Sequence, residues 1–143
     1  MIRYAAHEDV EGIVECIRKF TERPPYNMRL FSVPHITTSL MDALFNERYD
    51  LIVQEVDGRI EGATCASQSC TLLCPEREYH EHFVVALNPM HVRGMVRWLI
   101  RRAEERACYR VVIGCTTQNE RYEKLLQVAG GMQDYGKTFV KEM

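Results

Sequence analysis

Apolar residues change their spacing along this chain, and the changes divide it into elements. Val10, Ile13, Val14, Ile17 and Phe20 recur at helical intervals, the stripe of a helix with one face on a core. His7-Glu8-Asp9 stands in front of them. Acidic groups suit the positive end of a helix dipole, so a helix of about 15 residues is predicted from His7. Pro24-Pro25 stops it, because the residue before a proline is driven out of the helical region. The short apolar-rich run 2–5 reads as a first strand. Ser32 or Pro34 opens a second helix that runs to about Phe45, with Ile36, Leu40 and Leu44 on one face.

The pattern then alternates. Segments 51–55 and 60–67 flank Asp57-Gly58, and Asp-Gly is a strong hairpin signal because both central residues take positive φ. Residues 69–79 are polar and contain a proline, which predicts a connection. Residues 82–87 are nearly all apolar, the mark of a central strand buried on both faces, and Pro89 ends it. A helix is predicted over 93–107, a strand over 109–115, and a helix over 119–128 stopped by Gly130-Gly131. Segments 132–135 and 137–141 predict a closing hairpin around Gly136. The order β-α-α-β-β-β-α-β-α-β-β implies a mixed α/β (α+β) fold, with a mostly antiparallel central sheet flanked by helices.

A length of 143 residues suits one domain, 1–143. A formal charge of −2 excludes a protein that coats nucleic acid by bulk charge. No run is long and apolar enough to span a bilayer. The opening Met1-Ile2-Arg3-Tyr4 lacks a signal-peptide pattern. The six cysteines lack a CxxC pair, so reduced thiols in a cytoplasm are expected. Oligomeric state is open between monomer and homodimer. One bias stands out: 14 Arg against 4 Lys, with six of the Arg between Arg93 and Arg110. Arg is the side chain suited to phosphate and other planar anions.

Part of that excess falls where it carries chemistry. A buried strand runs through Val85 and Leu87 into a turn, then into a helix opening with Arg93, Gly94 and Arg97. Free backbone N–H groups and the positive end of a dipole at such an opening hold a pyrophosphate. Arg102, Arg106 and Arg110 read as solvated surface. Cys70, Cys74, His80 and His82 supply zinc-ligand types, but the spacing is a weak motif, and no metal is expected.

These elements resemble the GCN5-related N-acetyltransferase superfamily over nearly the whole chain. The opening 1–13 resembles its first strand and helix, and 49–63 the hairpin of its second and third strands. The resemblance implies an acetyl-CoA donor, held by backbone amides of a Q/R-x-x-G-x-G/A loop and by the edge of the fourth strand. His91, Val92, Arg93, Gly94, Met95 and Val96 occupy that loop, with Arg97 following. Gly94 matches; His91 replaces Gln or Arg, and Val96 puts a branched side chain where the family has Gly or Ala. The fourth-strand amide near Val85 or Leu87 would stabilise the oxyanion. The segment Asn119 to Gly131 resembles the family's closing N-x-x-a-x-x-l-Y-x-x-x-G-F stretch. Asn119 and Gly130 match, and Leu126 stands where many members have a Tyr that protonates the leaving thiolate. Tyr122 lies one turn earlier on roughly the same face; it serves as that catalytic acid only if the backbone shifts by about 5 Å, and otherwise packs the helix.

Acetyl transfer to an amine needs a group that takes a proton. Glu81 fits by family likeness, and His82 fits by its unperturbed pKa of about 6.5. Neighbouring strand residues face opposite sides, so the two share a face only if the strand bulges. The resemblance implies an N-acetyltransferase acting on a primary amine of a small molecule or protein. The alternative is a GNAT-like binding or structural module without catalysis, loosely similar to short acetyltransferase-like proteins of tailed phages.

Overall fold

The computed structural model describes residues 1–23, 31–114, 120–134, 136, 141 and 143. The elements in chain order are β1 (Ile2–Tyr4), α1 (Val10–Thr21), α2 (Val33–Leu44), β2 (Tyr49–Val56), β3 (Arg59–Cys70), β4 (Arg77–Ala86), α3 (Val92–Glu105), β5 (Arg110–Val112) and α4 (Glu120–Gly130). The five strands lie side by side in the order β1-β2-β3-β4-β5. All neighbours are antiparallel except β4 and β5, which run parallel.

Local chemistry explains most boundaries. Asp57 and Gly58 take φ of 50° and 75°, the geometry that lets a two-residue turn follow the strand twist. Ser32 caps α2 by accepting from the His35 amide, and Pro34 sits in the first turn. The helix expected from His7 begins instead with a short 3-10 turn over His7–Asp9. The Asp9 carboxylate accepts from the Ala6 amide at 2.7 Å and from both terminal nitrogens of Arg3 at 2.7 and 2.9 Å. That clasp ties β1 to the start of α1. Gly131 at φ 62° ends α4, the left-handed C-terminal position that glycine takes most readily, and the Met132 amide reaches back to Leu126 O at 3.1 Å.

The alternating pattern of β2 and β3 builds two cores. Leu51, Val53, Ala63, Cys65 and Val85 face α1 and α2, meeting Val10, Ile13, Val14, Leu40 and Ala43. Ile52, Ala66, Tyr79 and Ala86 face α3, meeting Met95, Leu99 and Ala103. Gly62 lets the second face close: a Cβ there would lie 3.1 Å from Val85 O and 3.2 Å from Met95 Cε.

Four expectations are corrected. The polar segment 69–79 is mostly strand, and only 71–76 remain as connection. Its polar side chains are satisfied in place: Glu78, almost fully buried, accepts from Tyr109 Oη at 2.6 Å and pairs with Arg110 and His80, each at 2.5 Å. For the same reason β4 is not buried on both faces throughout, since His82 in its middle is exposed. Arg102 and Arg106 are not solvated surface. Arg106 grips the buried Asp50 at 2.7 and 3.0 Å, Arg102 reaches it at 3.3 Å, and Tyr79 Oη donates to it at 2.7 Å. The closing hairpin does not start where predicted. Residues 131–134 form no strand, the Met132 amide being spent on the helix cap. The second arm 137–141 lies outside the described residues except Lys141.

Candidate active site

The register of β4 breaks at one residue. Cys65 pairs with Phe83 and Ala66 with Glu81, so His82 is the extra residue of a β-bulge. Bulges re-aim side chains and disturb pairing. Here the imidazole of His82 turns to β3 and β2. Its Nε2 lies 2.7 Å from Ser67 Oγ, and its ring stacks on Tyr49 at 5.4 Å between centroids. Glu81 goes another way. Its Oε2 accepts from the Gly114 amide at 3.0 Å, just beyond β5. The strand does bulge, yet the two side chains reach different partners on different strands.

The parallel ladder between β4 and β5 covers Glu78↔Arg110, Tyr79↔Val111 and His80↔Val112. Beyond it, among the described residues, the β5 side of β4 is unpaired from Glu81 onward. The Leu87 amide donates to Glu61 O at 2.8 Å, inside the sheet. Alternate residues of a strand point their N–H groups the same way, so Val85 also faces β3. The groups directed to the open edge belong to Val84 and Ala86. This corrects the expectation that Val85 or Leu87 supplies an amide at that edge.

Both titratable groups at the bulge are displaced toward neutrality. Burial pushes the Glu81 carboxyl above its ordinary value, and the Gly114 amide opposes that push. His82 keeps an exposed edge, but the part of its ring packed into the sheet loses water, which pushes its pKa below 6.5, with His80 adding to the effect. In both cases removal from water penalises the charged form.

After β4 the chain makes a 3-10 turn over Pro89–His91, with Asn88 Oδ1 accepting from the Met90 amide at 3.0 Å. α3 starts at Val92. Arg93 and Arg97 are exposed on its first turns and make no ion pair among the described residues. His91 Nδ1 is buried and has no hydrogen-bond partner among the described residues. Gly94 has a packing reason: a Cβ there would lie 3.1 Å from Ile2 Cδ1. Met95 and Val96 are fully buried, so the Val96 branch is a core group and does not project into the loop's outer surface. Tyr122 is half-buried on α4, Leu126 one turn later is buried, and Asn119 and Cys115 lie outside the described residues.

The side chains of zinc-ligand type, Cys70, Cys74, His80 and His82, do not form a metal-binding group: among the described residues no group of three or more His, Cys, Asp or Glu side chains could hold a metal ion. Cys70 donates to Pro75 O, His80 binds Glu78, and His82 binds Ser67. No described helix is long and apolar enough to cross a membrane.

A cavity of about 400 Å³ opens against the bulge, lined by residues of α2 and its C-terminal end (Ser39, Leu40, Asp42, Ala43, Asn46) and by Tyr49, Cys65, His82 and Phe83 of the sheet. A hollow of about 460 Å³ between α1 and the β2–β3 hairpin touches none of residues 81–83. The sequence reading missed Ser67, Tyr49 and Asp42. A signal for Asp42 is present, since Ser39, Asp42 and Asn46 recur at helical spacing on the polar side of α2. Ser67 and Tyr49 gain meaning only from the cross-strand register.

No family model matches the sequence, and no curated protein matches it. Solved structures do. An acetyltransferase of Trypanosoma brucei aligns at TM-score 0.74 and 16% identity, covering 100% of this chain and 99% of that one. Glucosamine-6-phosphate N-acetyltransferase of Arabidopsis thaliana aligns at TM-score 0.72 and 18% identity, covering 99% and 97%. A protein of Bacillus halodurans described as a transcriptional regulator aligns at TM-score 0.77 and 15% identity, covering 100% and 99%. Identities this low speak to architecture, and the architecture is shared over nearly the full length of each chain. The chain has the GCN5-related N-acetyltransferase fold.

Proposed function

We propose that this protein is an acyltransferase that moves an acetyl group from acetyl-CoA to a primary amine of a small molecule or protein. The observation that carries the reading is the open edge of β4. Among the described residues the β4–β5 ladder stops at His80↔Val112, and the next two residues of β4 carry a half-buried carboxyl and an imidazole. An unpaired strand edge offers N–H and C=O groups to an extended amide chain, which is what the pantetheine arm of coenzyme A presents. Val84 and Ala86 supply those groups, and one of their amides is the oxyanion donor.

The start of α3 suits the phosphate end of the same ligand. Amides from Val92 to Arg97 open a helix, Arg93 and Arg97 are cations without ion pairs among the described residues, and His91 offers an unpartnered nitrogen there. Binding by amides needs no particular side chain, so the buried Met95 and Val96 do not obstruct it.

Glu81 and His82 are the two groups available to take the amine's proton. Burial raises Glu81 and lowers His82 from their ordinary values, so the imidazole is favoured in the neutral form that accepts a proton. Half-buried Tyr122 on α4 is the candidate acid one turn before Leu126, a role that needs the helix to shift by about 5 Å. Thiol release from acetyl-CoA in the presence of a panel of primary amines tests the reading. Amine-dependent release at a rate above buffer hydrolysis is expected. Its absence with every amine, together with copurification of a stable protein partner, would favour the binding-module alternative, which the shared fold with a transcriptional regulator also allows.

A further inference from the structure

The cavity beside the bulge has a composition that the acetyl-transfer reading does not require. Its helix wall carries Asp42, an exposed carboxylate with no ion pair or hydrogen bond among the described residues. Its middle is apolar, with Leu40, Ala43, Cys65 and Phe83. Its sheet wall carries His82, whose Nε2 is engaged by the buried Ser67 and whose ring is stacked on Tyr49. We infer that this cavity is the acceptor site, that it takes a short diamine with one ammonium on Asp42 and the other presented to His82, and that Ser67 is the positioning residue for that histidine. The inference rests on the acetyltransferase reading and adds its substrate class and its base.

Ser67 is 7% exposed and its Oγ lies 2.7 Å from Nε2; in the proposal the hydroxyl oxygen accepts from Nε2–H. That bond leaves Nδ1 as the ring's proton acceptor. The stack on Tyr49 fixes the ring plane. The charged or titratable groups near the ring are His80 on the same strand, Tyr49 on β2, Cys65 on β3 and Asp42 on α2, with Glu81 its chain neighbour. Burial pushes the Cys65 thiol up to about 12, so it is a packed apolar wall and not a nucleophile. Nδ1 takes one proton from the near ammonium. The freed amine attacks the acetyl carbon, a C–N bond forms and the C–S bond breaks. The second nitrogen proton ends on the departing thiolate, and His82 returns its own proton to water. The far ammonium stays charged on Asp42 throughout, which is why a carboxylate at that wall helps and does not quench the nucleophile. A cavity of about 400 Å³ is at the small end of ligand sites, matching a chain of a few methylenes better than a peptide.

The test compares 1,5-diaminopentane with pentylamine, which has the same reacting end and no anchor. At least a tenfold preference in kcat/KM for the diamine is expected, falling to within twofold in Asp42→Asn. His82→Gln is expected to lower kcat at least a hundredfold with both amines. Ser67→Ala is expected to lower kcat about tenfold with KM retained, and Ser67→Thr, which keeps the hydroxyl, to restore it. Equal use of the two amines, or an Asp42→Asn variant that keeps the preference, would overturn the substrate class. Retention of the acidic limb of the pH profile in His82→Gln and its loss in Glu81→Gln would overturn the base. A binding readout separates this from failure of the parent reading. Without coenzyme, 1,5-diaminopentane is expected to shift the His82 ring resonances saturably, and less in Asp42→Asn. If acetyl-CoA does not bind, the parent reading fails. If acetyl-CoA binds and the His82 resonances stay unmoved at 10 mM diamine, this inference alone fails.

Discussion

Two acidic residues of the same sheet, one buried and one half-buried, have opposite surroundings. Asp50 on β2 is 3% exposed and is surrounded by Tyr79, Arg102 and Arg106, so every oxygen is used. Glu81 on β4 is held by one backbone amide at 3.0 Å. A fully paired buried charge locks elements together, and removing its centre strands the partners. A carboxyl with a single donor can change protonation without breaking the fold. The difference separates the α3 arginines as well. Those of the last turns, Arg102 and Arg106, are committed to Asp50, while Arg93 and Arg97 of the first turns have no ion pair among the described residues. One end of the sheet is built for stability and the other keeps its polar groups unspent.

The largest expected effect breaks the stable end. Asp50→Ala leaves two guanidinium groups and a tyrosine hydroxyl without their acceptor, and urea unfolding is expected to show a loss of about 3–5 kcal/mol. A loss below about 1 kcal/mol would make the cluster a surface arrangement and erase the contrast. Next comes the unspent end. Arg93→Ala combined with Arg97→Ala is expected to weaken acetyl-CoA binding about tenfold, roughly 1.4 kcal/mol, while stability moves by less than about 0.5 kcal/mol. Destabilisation comparable to that of Asp50→Ala would contradict the division.

Titration sharpens the contrast further, because the two kinds of carboxyl run in opposite directions. Arg3 holds Asp9 below 3.8, and Tyr109 with His80 and Arg110 holds Glu78 below 4.5. Their stabilising contribution is complete above those ordinary values and is lost as pH falls through the depressed ones. Glu81 is raised above 4.5 by burial, so its contribution is complete below that value and is lost as pH rises through the folded one. Thermal melts from pH 7 to pH 3 should therefore fall in the wild type. The smallest effect is that of Glu81→Gln, expected to raise the melting temperature slightly at pH 7 and not at pH 4. A variant less stable at pH 7 would show that Glu81 is a structural carboxylate like Asp50.

What the sequence reveals and conceals follows the range of the interactions. The Asp57-Gly58 turn, the Ser32 cap and the stripe of α1 depend on residues a few positions apart, and each forms as the pattern predicts. The Asp50–Arg106 pair spans 56 positions, and no local pattern distinguishes that arginine from a solvated one. The first half of β4 reads as a loop because Glu78 and His80 are polar, and only the arrival of Arg110 and Tyr109 from β5 makes strand the better solution. The candidate site divides in the same way. The strand, turn and helix opening around Gly94 are legible. The direction of His82 is not, because it depends on a one-residue bulge against β3. The amide assignment at Val85 and Leu87 fails for a related reason, since the face an N–H points to is set by the neighbouring strand's register.

The central claim is that the open edge of β4 and the start of α3 form one site for acetyl-CoA. Isothermal titration of the protein with acetyl-CoA tests it most directly. The account predicts saturable heat with a micromolar dissociation constant, roughly −8 kcal/mol, weakened in the Arg93→Ala, Arg97→Ala double variant. No heat and no thermal shift at millimolar acetyl-CoA would contradict it.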